Sequence, residues 1–456
     1  MTVISNAILS KTNLLNFLLS FLPLSFIIGN LAINLNIFLI IIFALFLYGK
    51  KLILLKLNLI DKIVLSFFIY LILNSIIATA IMWGDDMNVY TLQDSYNFSI
   101  IQKTLLFQRF LILYFIIKFM VENNLINFKF FFISCSFFSL FVSLDIFYQF
   151  IFGYDIFGLP GHVRKYSGPF GDELIAGGYL QRFSIFSIFL IPIFFPLKNN
   201  KLSIILIIIL FVIAFMSILI SGNRMPFLLF LVMSILIFLF EKKIRKYFAL
   251  LFVLFSLLFL IFYNFNANIK NNFDNFYGKA KTLVVVIFDK NYKKQLMIKD
   301  DPVLDFYKEF ESFYETWMFN KYIGGGIKTF RYYCHRGFKN KIEKLKLDPV
   351  IDKEKLPEFR CNTHPHNYYL EILTELGVVG FVLSVFMFIS IIYISLIKKY
   401  FMKSNLNNAK IITPFIFLFL IEVFPIKSSG GFFTTGNATY IFILIAIIAA
   451  LSREKI

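Results

Sequence analysis

The sequence predicts an all-α polytopic membrane protein of about twelve transmembrane helices, with a large, partly helical outer loop between the ninth and tenth. Three observations carry this. Of 456 residues, 59% are hydrophobic, 63 are Phe and only 16% are charged, with mean hydropathy +0.77, far from soluble-domain averages. Apolar runs recur along most of the chain. The Lys and Arg residues between them fall mainly on alternate sides.

Runs of roughly 17 to 25 residues cross about 30 Å of hydrocarbon at 1.5 Å per residue. Twelve stretches qualify, some of them short: 13–31, 35–49, 63–83, 104–121, 129–152, 178–197, 202–221, 226–241, 247–264, 368–396, 411–425 and 438–452. Residues 1–264 thus hold nine spans, 265–366 form the loop and 367–456 hold three more. No cleavable signal peptide is expected, because the first run lacks a small-residue cleavage site and further spans follow. With the N-terminus inside, 19 cations lie on the cytoplasmic side, Lys118 among them, against seven in short outer loops and helix ends. The long loop holds the other 19 with 13 acids, a length exempt from the orientation rule. Both termini are expected to be cytoplasmic. The net charge of +18 therefore reflects orientation and membrane lipids rather than nucleic acid.

All four histidines, His162, His335, His364 and His366, fall on the outer side. The cytoplasmic loops are short and Lys-rich, without a Gly-rich phosphate loop or Walker pattern. Chemistry is expected outside, with no ATP or nucleotide sugar as direct donor. In the long loop, helical spacing of Phe306, Phe310, Phe313 and Trp317 predicts a helix over 303–319. Gly324-Gly325-Gly326 is a turn that admits close backbone approach and leads to Arg331. The Lys-rich residues 338–358 read as a solvated excursion, and Val284–Phe288 as a packed or interfacial segment. Cys334 and Cys361 lie in this loop and Cys135 in a span. In an oxidising compartment the loop pair favours a disulfide, worth roughly 3 to 4 kcal/mol by chain entropy, with two free thiols the alternative.

Three other outer segments bring cations to the membrane boundary: residues 161–182, the Ser221-Gly222-Asn223-Arg224 turn, and 427–433. Arg224 either snorkels to headgroups or grips a phosphate with its planar fork. The most concentrated chemistry is His364-Pro365-His366-Asn367, followed by Glu371, Glu375, Gly377 and Gly380, where polar loop becomes apolar helix. His-x-His without further ligands at a recognisable interval is a weak metal signal. His366 serves as a base or caps the helix with Asn367. Gly377 and Gly380 serve helix packing or substrate. Asp145 and Glu422, inside apolar spans, are functional candidates without an evident partner.

The pattern His366-Asn367, nine residues, Gly377, two residues, Gly380 resembles the signature of the O-antigen ligases and related O-antigen polymerases. The Ser-Gly-Asn-Arg turn, the Arg164 to Phe170 segment, the glycine turn ending at Arg331 and the late outer loop fit as well. The resemblance implies a GT-C-like membrane glycosyltransferase in the bacterial inner membrane. Its donor is a glycan on undecaprenyl diphosphate, and its acceptor is the lipid A core or a growing glycan at the periplasmic face. It further implies His366 as base, with Arg224 and Arg331 on the diphosphate. Arg164, His364, Asn367, Glu371 and Arg336 are substrate-binding candidates. Neither a cofactor nor a metal is required. A lipid-linked glycan flippase is the rival class, but would be expected to show polar groups through the midplane or two similar halves.

Overall fold

The computed structural model describes residues 12–84, 93–162, 165–195, 200–242, 245–288, 304–344, 346, 361–362, 364–402, 406, 408–428 and 430–453. Helices supply the regular structure there, and isolated β-bridges join Tyr154 with Pro160 and His162 with Lys165. The chain opens with α1 (12–20), α2 (Leu22–Ile28), α3 (Asn30–Ile53), α4 (Leu59–Gly84), α5 (Gln93–Phe107), α6 (Arg109–Glu122) and α7 (Phe128–Phe152). After a polar excursion come α8 (Ala176–Phe183), α9 (Ile185–Phe194), α10 (Asn200–Ile220), α11 (Arg224–Phe240), α12 (Arg245–Phe265) and α13 (Ala267–Phe288). The late loop holds α14 (Leu304–Phe319) and α15 (Phe330–Lys344). The chain closes with α16 (Tyr368–Ile392), continued as a π-helix over Tyr393–Phe401, then α17 (Ile412–Glu422) and α18 (Thr435–Leu451).

Among the described residues, eight helices are long and apolar enough to cross a membrane. Three shorter apolar helices, Arg224–Phe240, Ile412–Glu422 and Thr435–Leu451, accompany them. The chain is thus an all-α multi-pass membrane protein. The first expected span, 13–31, is instead broken, because Pro23 lacks an amide donor and Gly29 (φ 115°) ends α2. The eleven residues of α17 cover only about 16 Å. This helix and α18 are sheathed by protein along nearly their whole length, which makes them the centre of the bundle. The helix expected over 303–319 is α14, with Phe313 buried and Phe310 outward. Residues 338–344 belong to α15 rather than to a solvated excursion, the remainder of which lies mostly outside the described residues.

Lys118 is not a loop cation. Its ammonium is buried at the end of α6, 2.8 Å from Asp61 and 2.9 Å from Glu122. Asp61 also accepts from the Tyr114 hydroxyl (2.6 Å) and from the backbone of Asn58 (2.7 Å), whose side chain accepts from Asp61 N in return. That reciprocal cap starts α4 and ties it to α6.

The decisive irregularity is in α16. At Gly377 the backbone turns left-handed (φ 65°), and the helix breaks. An unbroken helix would join the N–H groups of 378 and 379 to the carbonyls of 374 and 375. Here residues 321–326 insert between them. Val378 N and Val379 N donate to the carbonyls of Lys321 and Tyr322, each at 3.1 Å, while Gly325 N and Gly326 N donate to those of Thr374 (3.2 Å) and Glu375 (2.8 Å). From α4, Tyr70 donates to the Leu376 carbonyl at 2.7 Å and Asn74 to the Ile323 carbonyl at 2.6 Å. Approach this close requires glycine on both sides. A Cβ on Gly377 would lie 2.3 Å from the Tyr322 carbonyl, and one on Gly324 2.4 Å from that of Glu375.

Gly377→Ala should therefore destabilise the fold by about 1 to 3 kcal/mol, from a strained φ plus displaced loop bonds. Thermal unfolding in detergent checks this, with Gly49→Ala, in open space on α3, expected to be neutral or slightly stabilising.

Candidate functional site

The site is assembled where α16 begins. Asn367 is its N-cap: extended backbone (φ −143°, ψ 136°) lets the side-chain oxygen accept from Tyr369 N (2.9 Å) and Leu370 N (3.2 Å). Its amide group donates to the carbonyls of Pro425 (2.8 Å) and Lys427 (3.1 Å), beyond α17. Two acceptances and two donations make Asn367 a brace of the helix entrance. Capping is done by Asn367, which leaves the imidazole of His366 for other work.

His366 is held left-handed (φ 51°), a conformation uncommon for a side-chain-bearing residue. Its ring lies 4.6 Å from that of His364, tilted by 58°. Burial and the neighbouring His366 push the His364 imidazole down from 6.5 to about 4, so His364 is neutral at ordinary pH. Two half-buried imidazoles thus share one loop turn.

Below them, the two glutamates one turn apart face different chain segments. Glu371 accepts from the backbone of Phe432 and Phe433, anchoring the stretch before α18. It is buried. Glu375, fully buried, faces the backbone amides of Lys328 and Phe330. Lys103 of α5 lies within electrostatic reach of Glu375, Lys328 and Arg331. The insertion of 321–326 into α16 therefore gathers three cations beside the helix that His366 opens. Arg331 is exposed at the first turn of α15, and Arg336 is half-buried on the same helix. Neither Lys103 nor Lys328 carries a local sequence signal that singles it out from the other lysines.

Covalent and packing ties hold α15 in place. Cys334 and Cys361 form a disulfide, with Cα atoms 5.5 Å apart. Phe313, Phe330 and Cys334 pack with Trp317, Cys361, Leu370 and Leu373, joining both loop helices to the start of α16. Asn362 donates to Glu309 at 3.2 Å.

Arg224 occupies a neighbouring zone. It opens α11 and lines a narrow cleft with Tyr166, Asn223, Asn266 and several apolar side chains. The 161–182 segment docks on its turn through Tyr166 N to the Ser221 carbonyl (3.4 Å) and Gly177 N to the Asn223 side chain (2.9 Å). Arg164 lies outside the described residues. Asp145 has a structural partner, accepting from Ile156 N at 2.8 Å to fold the loop after α7.

Between the two zones runs a buried ion network. Arg182 of α8 grips Glu422 of α17 with two nitrogens (2.7 and 3.2 Å) and reaches Asn437 at 2.6 Å. Lys427 adds a second cation to Glu422 at 2.6 Å and a bond to the Tyr368 hydroxyl at 3.2 Å. Glu422 thus has the partner that its position in an apolar span demanded. A carboxylate and a lysine five residues apart were a usable signal, while Arg182 is 240 residues away.

Among the described residues no group of three or more His, Cys, Asp or Glu side chains is arranged to hold a metal ion. The arrangement places two imidazoles at the entrance of α16 and a group of cations around Glu375, further along the same helix.

These features define a multi-pass α-helical membrane protein with a polar site where a late loop meets a broken helix. Residues 209–385, less than half of the chain, match the O-antigen ligase family. Over that stretch the likeness supports the O-antigen ligase and polymerase superfamily and, in general terms, its membrane glycosyltransferase-like function. No curated protein matches the chain.

Two measurements probe this geometry. Glu422→Ala leaves two buried cations without their shared anion and should cost about 3 to 5 kcal/mol in unfolding experiments. For His364, the unfolded imidazole takes a proton near pH 6.5 that the folded loop refuses until about pH 4. Its contribution is therefore present above pH 6.5 and is lost as pH falls toward 4. His364→Asn should make the melting temperature less steeply dependent on pH across that window.

Proposed function

We propose that the protein is an O-antigen ligase-type glycosyltransferase of the bacterial inner membrane. It moves a glycan from undecaprenyl diphosphate to a sugar hydroxyl of the lipid A core at the periplasmic face. The observation that carries this reading is the pair of imidazoles at the entrance of α16, the helix whose Glu375 has Lys103 and Lys328 within electrostatic reach, in a chain of which residues 209–385 match the O-antigen ligase family. In the topology that accompanies it, the chain crosses twelve times with both termini cytoplasmic. The shorter helices α11, α17 and α18 cross together with their flanking segments, and 265–366 is the periplasmic loop.

In the proposed reaction the acceptor hydroxyl attacks the anomeric carbon of the donor while His366 takes its proton. The carbon–oxygen bond to the diphosphate breaks, and the electron pair leaves with undecaprenyl diphosphate. Arg224 and Arg331 are assigned to that leaving group, with Lys103 and Lys328 adding positive potential beside Arg331. Neutral His364 packs against His366 and orients it. Attack from the face opposite the diphosphate inverts the anomeric centre. The donor bond is already activated, so neither metal nor ATP takes part. A polymerase would use the same donor chemistry with a growing glycan as acceptor.

His366→Ala and Arg224→Ala should each lower transfer by at least about 10²-fold while inserting at wild-type levels. Wild-type turnover by either purified variant would refute the assignment. Purified protein given lipid-linked repeat units should form product only when lipid A core is added, and should do so unchanged in EDTA. Chain growth without the core would assign the polymerase reaction instead.

A further inference from the structure

A large cavity beside the central helices lies at the other end of the bundle. Arg224 begins α11, and Glu241 follows its last residue, 17 residues and about 25 Å further on. Thr413 at the start of α17 lies 3.4 Å from Glu241, whereas Glu422 at the far end of α17 meets Arg182. His366 precedes α16, and the π-helical continuation of that helix ends at Phe401. All three helices therefore place this end opposite the candidate site.

There a cavity of about 660 Å³ opens between α9, α10, α11 and the π-helix. Its volume is within the range of small-molecule sites, roughly 300 to 1,000 Å³. The walls are apolar, Ile188, Ile207 and Phe240 among them, while Lys242, Lys399 and Lys410 stand at the rim. Lys399 is neutralised by Glu241 at 3.0 Å and also donates to Tyr400 at 2.9 Å and to Thr413. Lys242 and Lys410 are exposed and leave the rim cationic. Pro192 removes one backbone bond within α9 at one wall, and Lys399, Tyr400 and Phe401 of the π-helix line the cavity as well.

An apolar chamber with a cationic rim at a membrane boundary matches one class of molecule. We propose that this cavity is a binding site for an anionic phospholipid of the adjoining leaflet. Its headgroup phosphate is held by Lys242 and Lys410, and one acyl chain lies along Ile188, Ile207 and Phe240. The apolar wall alone would accept any lipid, and the rim supplies selection by charge. A nucleotide fits poorly, since Glu241, Tyr400 and Thr413 are bonded to Lys399 or to one another and the lining has no glycine loop. The site is separate from glycan transfer, and occupancy would brace α9 to α11 against the end of α16.

Native mass spectrometry of the full-length protein, titrated with phosphatidylglycerol or phosphatidylcholine of identical chains, tests this. Wild type should retain phosphatidylglycerol about tenfold better, given two surface cations. Lys242→Gln with Lys410→Gln should reduce that preference to about twofold or less, and Ile207→Trp, which fills the chamber, should reduce retention of both lipids. The double variant alters exposed side chains only, so it decides the matter even if Ile207→Trp fails to fold. Equal retention by wild type, or an undiminished preference in the double variant, would overturn the proposal. Displacement of bound phosphatidylglycerol by a lower concentration of a polyprenyl phosphate would also overturn it, and would assign the chamber to an isoprenoid carrier.

Discussion

Backbone hydrogen bonding at Gly377 is the constraint on which the half of this protein around the candidate site depends. Inside a bilayer each unpaired amide or carbonyl costs several kcal/mol, so a broken helix persists only where another segment completes its bonds. Residues 321–326 do this from both sides, and Tyr70 and Asn74 of α4 hold the insertion. The loop and the helix are consequently a single unit. The insertion carries Lys328 and Arg331 to the flank of α16 and sets Glu375 against the following backbone. A loop attached only at its ends would leave those cations on a mobile tether, with no fixed relation to the imidazoles.

A second layer of ties fixes the helix entrance. Asn367 caps α16 and clamps it to the chain beyond α17, while Glu371 captures the backbone leading into α18. Both residues look functional in the sequence because they are polar and adjacent to histidines. Their geometry ties the start of α16 to the segments beside α17 and α18. The Arg182, Glu422 and Lys427 network performs the same service between zones, since α8 also packs against the Arg224 turn through Gly177 and Asn223. Its two cations and one carboxylate are buried, where loss of a partner is costly even if the intact group adds little net stability. Such a network suits a site that must keep cations aligned across separate helices.

The class of the protein, the approximate positions of most spans, the helix at 304–319 and the boundary at Asn367 were legible in the sequence. Each depends on local information: apolar run length, helical periodicity, or a capping residue before an apolar stretch. The histidine pair and the late cysteines were legible for the same reason, being close together or confined to one loop. Legibility was poorest where a span is short or broken. Pro23 and Gly29 divide the first span, and α17 is too short to cross by itself, because apolar content does not report continuity of the helix.

Sequence by itself thus determined an all-α membrane chain and the stretch that bears its imidazoles. Tertiary structure alone decided which cations stand beside α16, which polar groups are committed to the fold, and why Gly377 must be glycine. The physical reason is separation along the chain. Arg182 meets Glu422 across 240 residues and Tyr70 meets Leu376 across 306, and neither partner leaves a local trace of the other. Hydrophobicity and capping act within a few turns, whereas the pairing of buried charges and the rescue of a broken backbone are settled only when distant segments pack.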